Sequence, residues 1–164
     1  MGMVWVARLA DDGEVASIRA NPDGAYDFIQ PEEGWETAPI IDLDKEWHAI
    51  HFLLTQSAGP TNDPLSLILG DFEEIGEDNG YGPVFYIPNQ SLKAFSNMAK
   101  ALSESELKKR YDTQAMVEQQ IYLGEMYHEE GEEGLNFLTQ RLDELKEFAA
   151  KAASGDLSAF AVIT

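Results

Sequence analysis

Apolar and polar positions alternate between two periods along this chain, and the changes of period mark its elements. Met3 to Leu9 is apolar on both faces apart from Arg8, which predicts a largely buried strand. Asp11-Asp12-Gly13 ends it, and residues 14–20 read as a helix. Asn21-Pro22 opens a second short helix as N-cap and first position, with Ala25, Phe28 and Ile29 apolar. Leu43, Trp47, Ile50 and Leu54 then recur at steps of four, three and four. That spacing predicts a helix over 41–55 with Asp42 as N-cap and Asp44 and Glu46 in the first turn.

After a Ser/Gly/Pro-rich link at 56–61, Asn62-Asp63-Pro64 resembles another helix start, with Leu65, Ile68 and Leu69 turned inward. Residues 70–82 are acidic and punctuated by glycine, a solvated connection, and Val84 to Ile87 is a short strand stopped by Pro88. Asn89 or Ser91 caps a helix carrying Leu92, Phe95, Met98, Ala99 and Leu102. Ser103-Glu104-Ser105-Glu106 is a capping box for a helix ending near Arg110, and Asp112 caps one more through Met116. Residues 121–127 are weakly patterned and read as a connection. Leu135, Leu138, Leu142, Leu145, Ala149 and Ala152 predict a long helix closed by Gly155, and Leu157 to Ile163 a terminal strand buried on both faces. The sum is one α/β (or α+β) domain over 1–164. A small mixed sheet of the two terminal strands and the middle strand carries several covering helices.

Charge is the one extreme of composition. Thirty acids against eleven bases give −19 in 164 residues. Residues 1–92 hold 17 acids and three bases, a net of −14, and residues 93–164 hold 13 acids and eight bases, a net of −5. Such a field repels nucleic acid and anionic membrane and attracts basic proteins. There is no cysteine, which removes disulfides, thiolate metal sites and cysteine nucleophiles. The start of the chain lacks a basic n-region and no apolar run approaches the ~18 residues of a membrane span, so the cytoplasm is the expected compartment.

One face of the 41–55 helix gathers candidate chemistry. Asp44, His48, His51 and Thr55 are spaced four, three and four and project within an arc of about 60°. Two imidazoles and a carboxylate are a partial transition-metal set. Without a third strong ligand nearby, no metal site is expected. The other chemistry is Asp44 orienting His51 as a general base near Thr55. The structural reading has Asp44 stabilising the helix start, His48 solvated, and His51 half-buried with a backbone partner. Trp47 belongs to the apolar stripe, so core packing is favoured over ligand stacking.

The remaining motifs fail on detail. The glycine-rich stretch 70–82 has no GK[ST], and its acids oppose phosphate. Asp71, Glu73, Glu77 and Asp78 do not follow an EF-hand spacing. His128-Glu129-Glu130-Gly131-Glu132 begins like a zinc-protease helix but has Glu132 where the second histidine belongs. No cofactor motif is present.

Asp44-Lys45-x-Trp47-x-x-x-His51-x-x-Leu54-Thr55 resembles the signature of the YfbM-like family of small bacterial proteins, grouped as a domain of unknown function. Matching pieces are Met1-Gly2-Met3, Asn62-Asp63-Pro64-Leu65, Gly80-Tyr81-Gly82-Pro83, Leu102-Ser103-x-x-Glu106-Leu107, Arg110-Tyr111-Asp112 and Ile121-Tyr122. Leu123 stands where the family pattern has proline, and His48 falls on a variable position of it. The resemblance implies a compact α/β fold and no established activity.

Two functions follow as expectations. The preferred one is a non-catalytic module that binds a basic protein through Asp71, Glu73, Glu74, Glu77 and Asp78. The alternative is a small enzyme using His51 with Asp44.

Overall fold

The computed structural model describes residues 2–164; Met1, which opens the Met1-Gly2-Met3 match, lies outside them. Among the described residues, five strands form one sheet in the order β2-β1-β5-β4-β3. Strand β1 is Trp5–Ala10, β2 Ile40–Asp42, β3 Glu73–Ile75, β4 Val84–Ile87 and β5 Ser158–Ile163. The three expected strands lie together at its centre, with β5 between β1 and β4. All four ladders are antiparallel, so the sheet is not mixed and the domain is α+β. Helices connect the strands without a right-handed parallel crossover, which leaves neighbouring strands free to run in opposite directions.

Helices lie on both faces of the sheet. Helices α1 (Asp12–Ala20) and α2 (Ala25–Ile29) bury Ile18, Ala25 and Ile29 against Val6, Ala10, Phe160 and Val162. The opposite face, from Trp5, Ala7, Leu9, Ala159 and Ala161, carries the larger core. There α3 (Trp47–Thr55), α4 (Asn89–Lys100) and α8 (Glu132–Gly155) supply Leu54, Phe95 and Leu142 among others. Between them α5 (Glu104–Arg110), α6 (Thr113–Glu118) and α7 (Gly124–Glu130) close the domain.

Several boundaries depart from the sequence reading, each for a local reason. Helix α1 begins at Asp12 because Asp11 and Glu14 form a reciprocal capping box. Asp42 ends strand β2 and is not an N-cap. Its Oδ1 accepts from the Asp44 N–H at 2.7 Å, and Asp44 adopts a left-handed φ of 47°. A 3-10 turn at Asp44–Glu46 then leads into α3. Residues 62–69 form turns instead of a helix, since Asp63 Oδ1 accepts from the Leu65 N–H at 2.8 Å and stops the backbone from propagating. Helix α4 starts after Pro88, and Asn89 donates to the carbonyls of Ala152 and Leu157 instead of capping. Met98, expected inside, is 40% exposed.

The 121–127 stretch contains α7, entered through Leu123 at φ 62°. Proline, fixed near −65°, cannot adopt that angle, which fits the leucine found where the family pattern has proline. The left-handed residue closing α8 is Asp156, one past Gly155, at φ 52°.

Candidate functional site

Helix α3 is buried over nearly its whole length, which decides what its side chains can do. Trp47 packs in the core, stacks on His48 with centroids 4.9 Å apart, and donates its indole N–H to the Met3 carbonyl at 3.0 Å. His48, expected to be solvated, is half-buried and fully partnered, because loops 57–59 and 121–123 close over its ring. Its Nδ1 accepts from the Tyr122 N–H at 2.9 Å, which leaves the proton on Nε2, and Nε2 donates to the Ala58 carbonyl at 2.8 Å. One imidazole therefore fastens two loops, 57–59 and 121–123.

His51, expected to be half-buried, is completely buried. Its Nε2–H donates to the Gly59 carbonyl at 2.8 Å and lies 3.3 Å from Thr55 Oγ1, so the structure does bring His51 and Thr55 together. The Thr55 hydroxyl itself donates back to the His51 carbonyl at 2.9 Å. Nδ1 of His51 has no partner among the described residues. Asp44 is not brought to His51: no hydrogen bond or ion pair joins them among the described residues, because the 3-10 turn takes Asp44 off the helical register.

Burial is the main influence on both imidazoles and pulls their pKa values below the ordinary 6.5, against the carbonyls of Ala58 and Gly59, which favour the charged form. Both rings are neutral near pH 7. Each spends its single N–H on a backbone carbonyl, and among the described residues no group of three or more His, Asp or Glu side chains is arranged to hold a metal ion.

Arg110 is the contributor that sequence reasoning missed. It lies in the last turn of α5, and its guanidinium reaches across to the final carbonyls of α3, donating to Leu54 at 2.7 Å and Leu53 at 3.3 Å. A cation there satisfies groups that α3 leaves orphaned and suits the negative end of its dipole. The Arg110-Tyr111-Asp112 run was the available signal. Gln56 adds a second cap, donating to Phe52 and Arg110 carbonyls.

The acidic residues lie at the far edge of the sheet. Glu73 and Glu74 are exposed on edge strand β3, with Asp71 before it and Glu77 and Asp78 in the turn that follows. Glu73 is held by a bidentate pair with Arg19, at 2.8 and 2.7 Å. Asp78 Oδ1 accepts from the Gly80 and Gly82 N–H groups and so builds the turn. Asp71, Glu74 and Glu77 point no charge at a cation among the described residues.

The profile of the family described as a domain of unknown function, DUF1877, matches residues 1–161. The chain belongs to that family. Protein YfbM of Escherichia coli K12 is 35% identical over 108 residues, 63% of this chain and 62% of that protein's length. The crystal structure of YfbM from Escherichia coli, a protein of unknown function, matches with a TM-score of 0.76 at 22% identity, covering 98% of this chain and 99% of that one. At that identity the likeness concerns the fold. No helix among the described residues is long and apolar enough to cross a membrane.

Proposed function

We propose that this DUF1877 domain, taking 1–164 as one unit, is a non-catalytic module of the bacterial cytoplasm that binds a basic protein. The observation that carries the reading is the charge: −14 in residues 1–92, with Asp71, Glu73, Glu74, Glu77 and Asp78 exposed along one sheet edge. A field of that sign speeds encounter with a basic surface and disfavours nucleic acid and anionic lipid. The placement of the histidines supports the same reading, since His48 and His51 donate to loop carbonyls and Asp44 does not orient either ring. Acid–base catalysis by His51 and Asp44 has less support for that reason.

Affinity capture from a bacterial lysate tests it. A basic protein is expected at ~0.1 M salt, where the Debye length is ~10 Å, and not at ~1 M, where it is ~3 Å. Charge reversal at the five acidic positions should weaken capture further. Partners indifferent to salt and to those substitutions would leave the acidity as a solubilising surface only.

A further inference from the structure

The face covered by α1 and α2 is not covered to its end. Helix α2 stops at Ile29, and the chain loops through residues 30–38 before returning as edge strand β2. Between that loop and the sheet lies a cleft of about 540 Å³. Its floor is apolar, from Val4, Val6, Ile29 and Ile40. Trp35, 59% exposed, stands at its side, and Glu36 and Asp42 line it as well. Among the described residues, none that lines it is Lys, Arg or His.

The same face of the molecule shows what such a set of groups holds. Arg8 lies over the Phe28 ring, 4.1 Å from its centroid, with Glu14 at 3.9 Å. Arg19 lies 4.8 Å over the Tyr86 ring while pairing with Glu73. Each is an aromatic ring, a carboxylate and a guanidinium. At the cleft the ring and the carboxylates are present, and among the described residues no cationic side chain lines it; Arg141, the neighbouring guanidinium, is taken up by the Asp42 backbone carbonyl.

We propose that this cleft seats an arginine side chain presented by the basic partner, an inference that rests on the binding-module reading above and supplies its anchor point. The aliphatic stem lies on Val6 and Ile40, where long cationic side chains bury their methylenes. The guanidinium plane stacks on Trp35, the strongest of the aromatic faces for a cation, and its N–H fork meets Glu36 and Asp42. Lysine, a compact hydrated charge without a planar fork, fits less well.

The test is an NMR titration of the full chain with N-acetyl-arginine methylamide, its lysine counterpart, and the uncharged citrulline isostere. Saturable shifts are expected at the Trp35 indole N–H and at the amides of Gln30, Ile40 and Asp42. Citrulline should bind at least about tenfold more weakly, and lysine several-fold more weakly. Trp35→Ala should abolish saturation and Glu36→Gln reduce it several-fold; both positions are exposed, so the fold is retained. Equal binding of citrulline, or arginine shifts centred on residues 71–78 and unaffected by Trp35→Ala, would overturn the assignment. If the cleft ignores arginine while salt-sensitive capture of a basic protein persists, this inference alone fails. If arginine fills the cleft and no basic protein is captured, the partner reading fails and the cleft's chemistry stands.

Discussion

The two faces of the sheet are built to different standards. On one, Trp5, Ala7 and Leu9 meet α3, α4 and the 24-residue α8, and the apolar cluster is continuous from Leu43 to Ala152. On the other, helices of nine and five residues cover Val6, Ala10, Phe160 and Val162 and leave Val4 and Ile40 lining an open cleft. Most of the second face comes from residues 1–92, the half carrying −14; β5 is its main contribution from the other half. The comparison teaches a division of labour. The thick side holds the fold together, and the thin side keeps apolar floor and negative charge in reach of solvent.

Truncation in the two cores should separate them most. Leu142→Ala on the thick side is expected to cost about 3–5 kcal/mol, because α8 is packed along its length and the hole cannot collapse. Ile18→Ala, under the thin layer, should cost about 2 kcal/mol, because a short surface helix can settle into the space. Denaturant unfolding of the two variants decides it, and equal losses would break the comparison.

His51→Ala comes next, at about 1–3 kcal/mol, since it frees the Gly59 carbonyl and leaves a hole beside α3. A variant that unfolds like the parent but loses a measured ligand or activity would turn His51 from a fastener into a functional group. The same histidines set a pH dependence. Their folded pKa values are lowered, so the unfolded chain takes up protons first, and their contribution is complete above 6.5 and is lost as pH falls from 6.5 through the folded values. Thermal midpoints of the parent should therefore drop on acidification through that window. The drop should be smaller in a His48→Gln, His51→Gln double variant, measured against its own value at pH 7.5.

On the thin side the effects shrink. Trp35→Ala should move stability by no more than about 0.5 kcal/mol, because the ring is mostly in water; a larger loss by denaturant titration would make it a core residue and not a free surface. Smallest of all is Arg19→Ala, which removes an exposed pair with Glu73. Its unfolding midpoint should differ from the parent's only at low salt, and a difference persisting at ~1 M salt would show that Arg19 contributes by packing on Tyr86.

Elements with long, strongly periodic patterns were legible from the chain alone. Helix α8 announces itself through Leu135, Leu138, Leu142 and Leu145, and β1, β4 and β5 through short apolar runs bounded by turn residues. Strands β2 and β3 were not legible. Each is three residues long, and an edge strand owes its form to the neighbour it pairs with more than to its own pattern. Helix α7 begins at a left-handed Leu123, a start that no capping residue signals.

The candidate site divides in the same way. Sequence by itself determined that His48, His51 and Thr55 share a helical face, because 3.6 residues per turn is a local property. It determined the charge and its asymmetry, which are sums over residues. Only the tertiary structure decided that the same face looks inward, where His48 and His51 hold loops 57–59 and 121–123. It alone moved Asp44 off the helix, since a strand pairing with β1 claims residues 40–42 and forces the turn that follows. It alone brought Trp35, Glu36 and Asp42 around one apolar floor. The proximity of a loop, an edge strand and a sheet face is set by long-range packing, on which the local sequence around any one of them is silent.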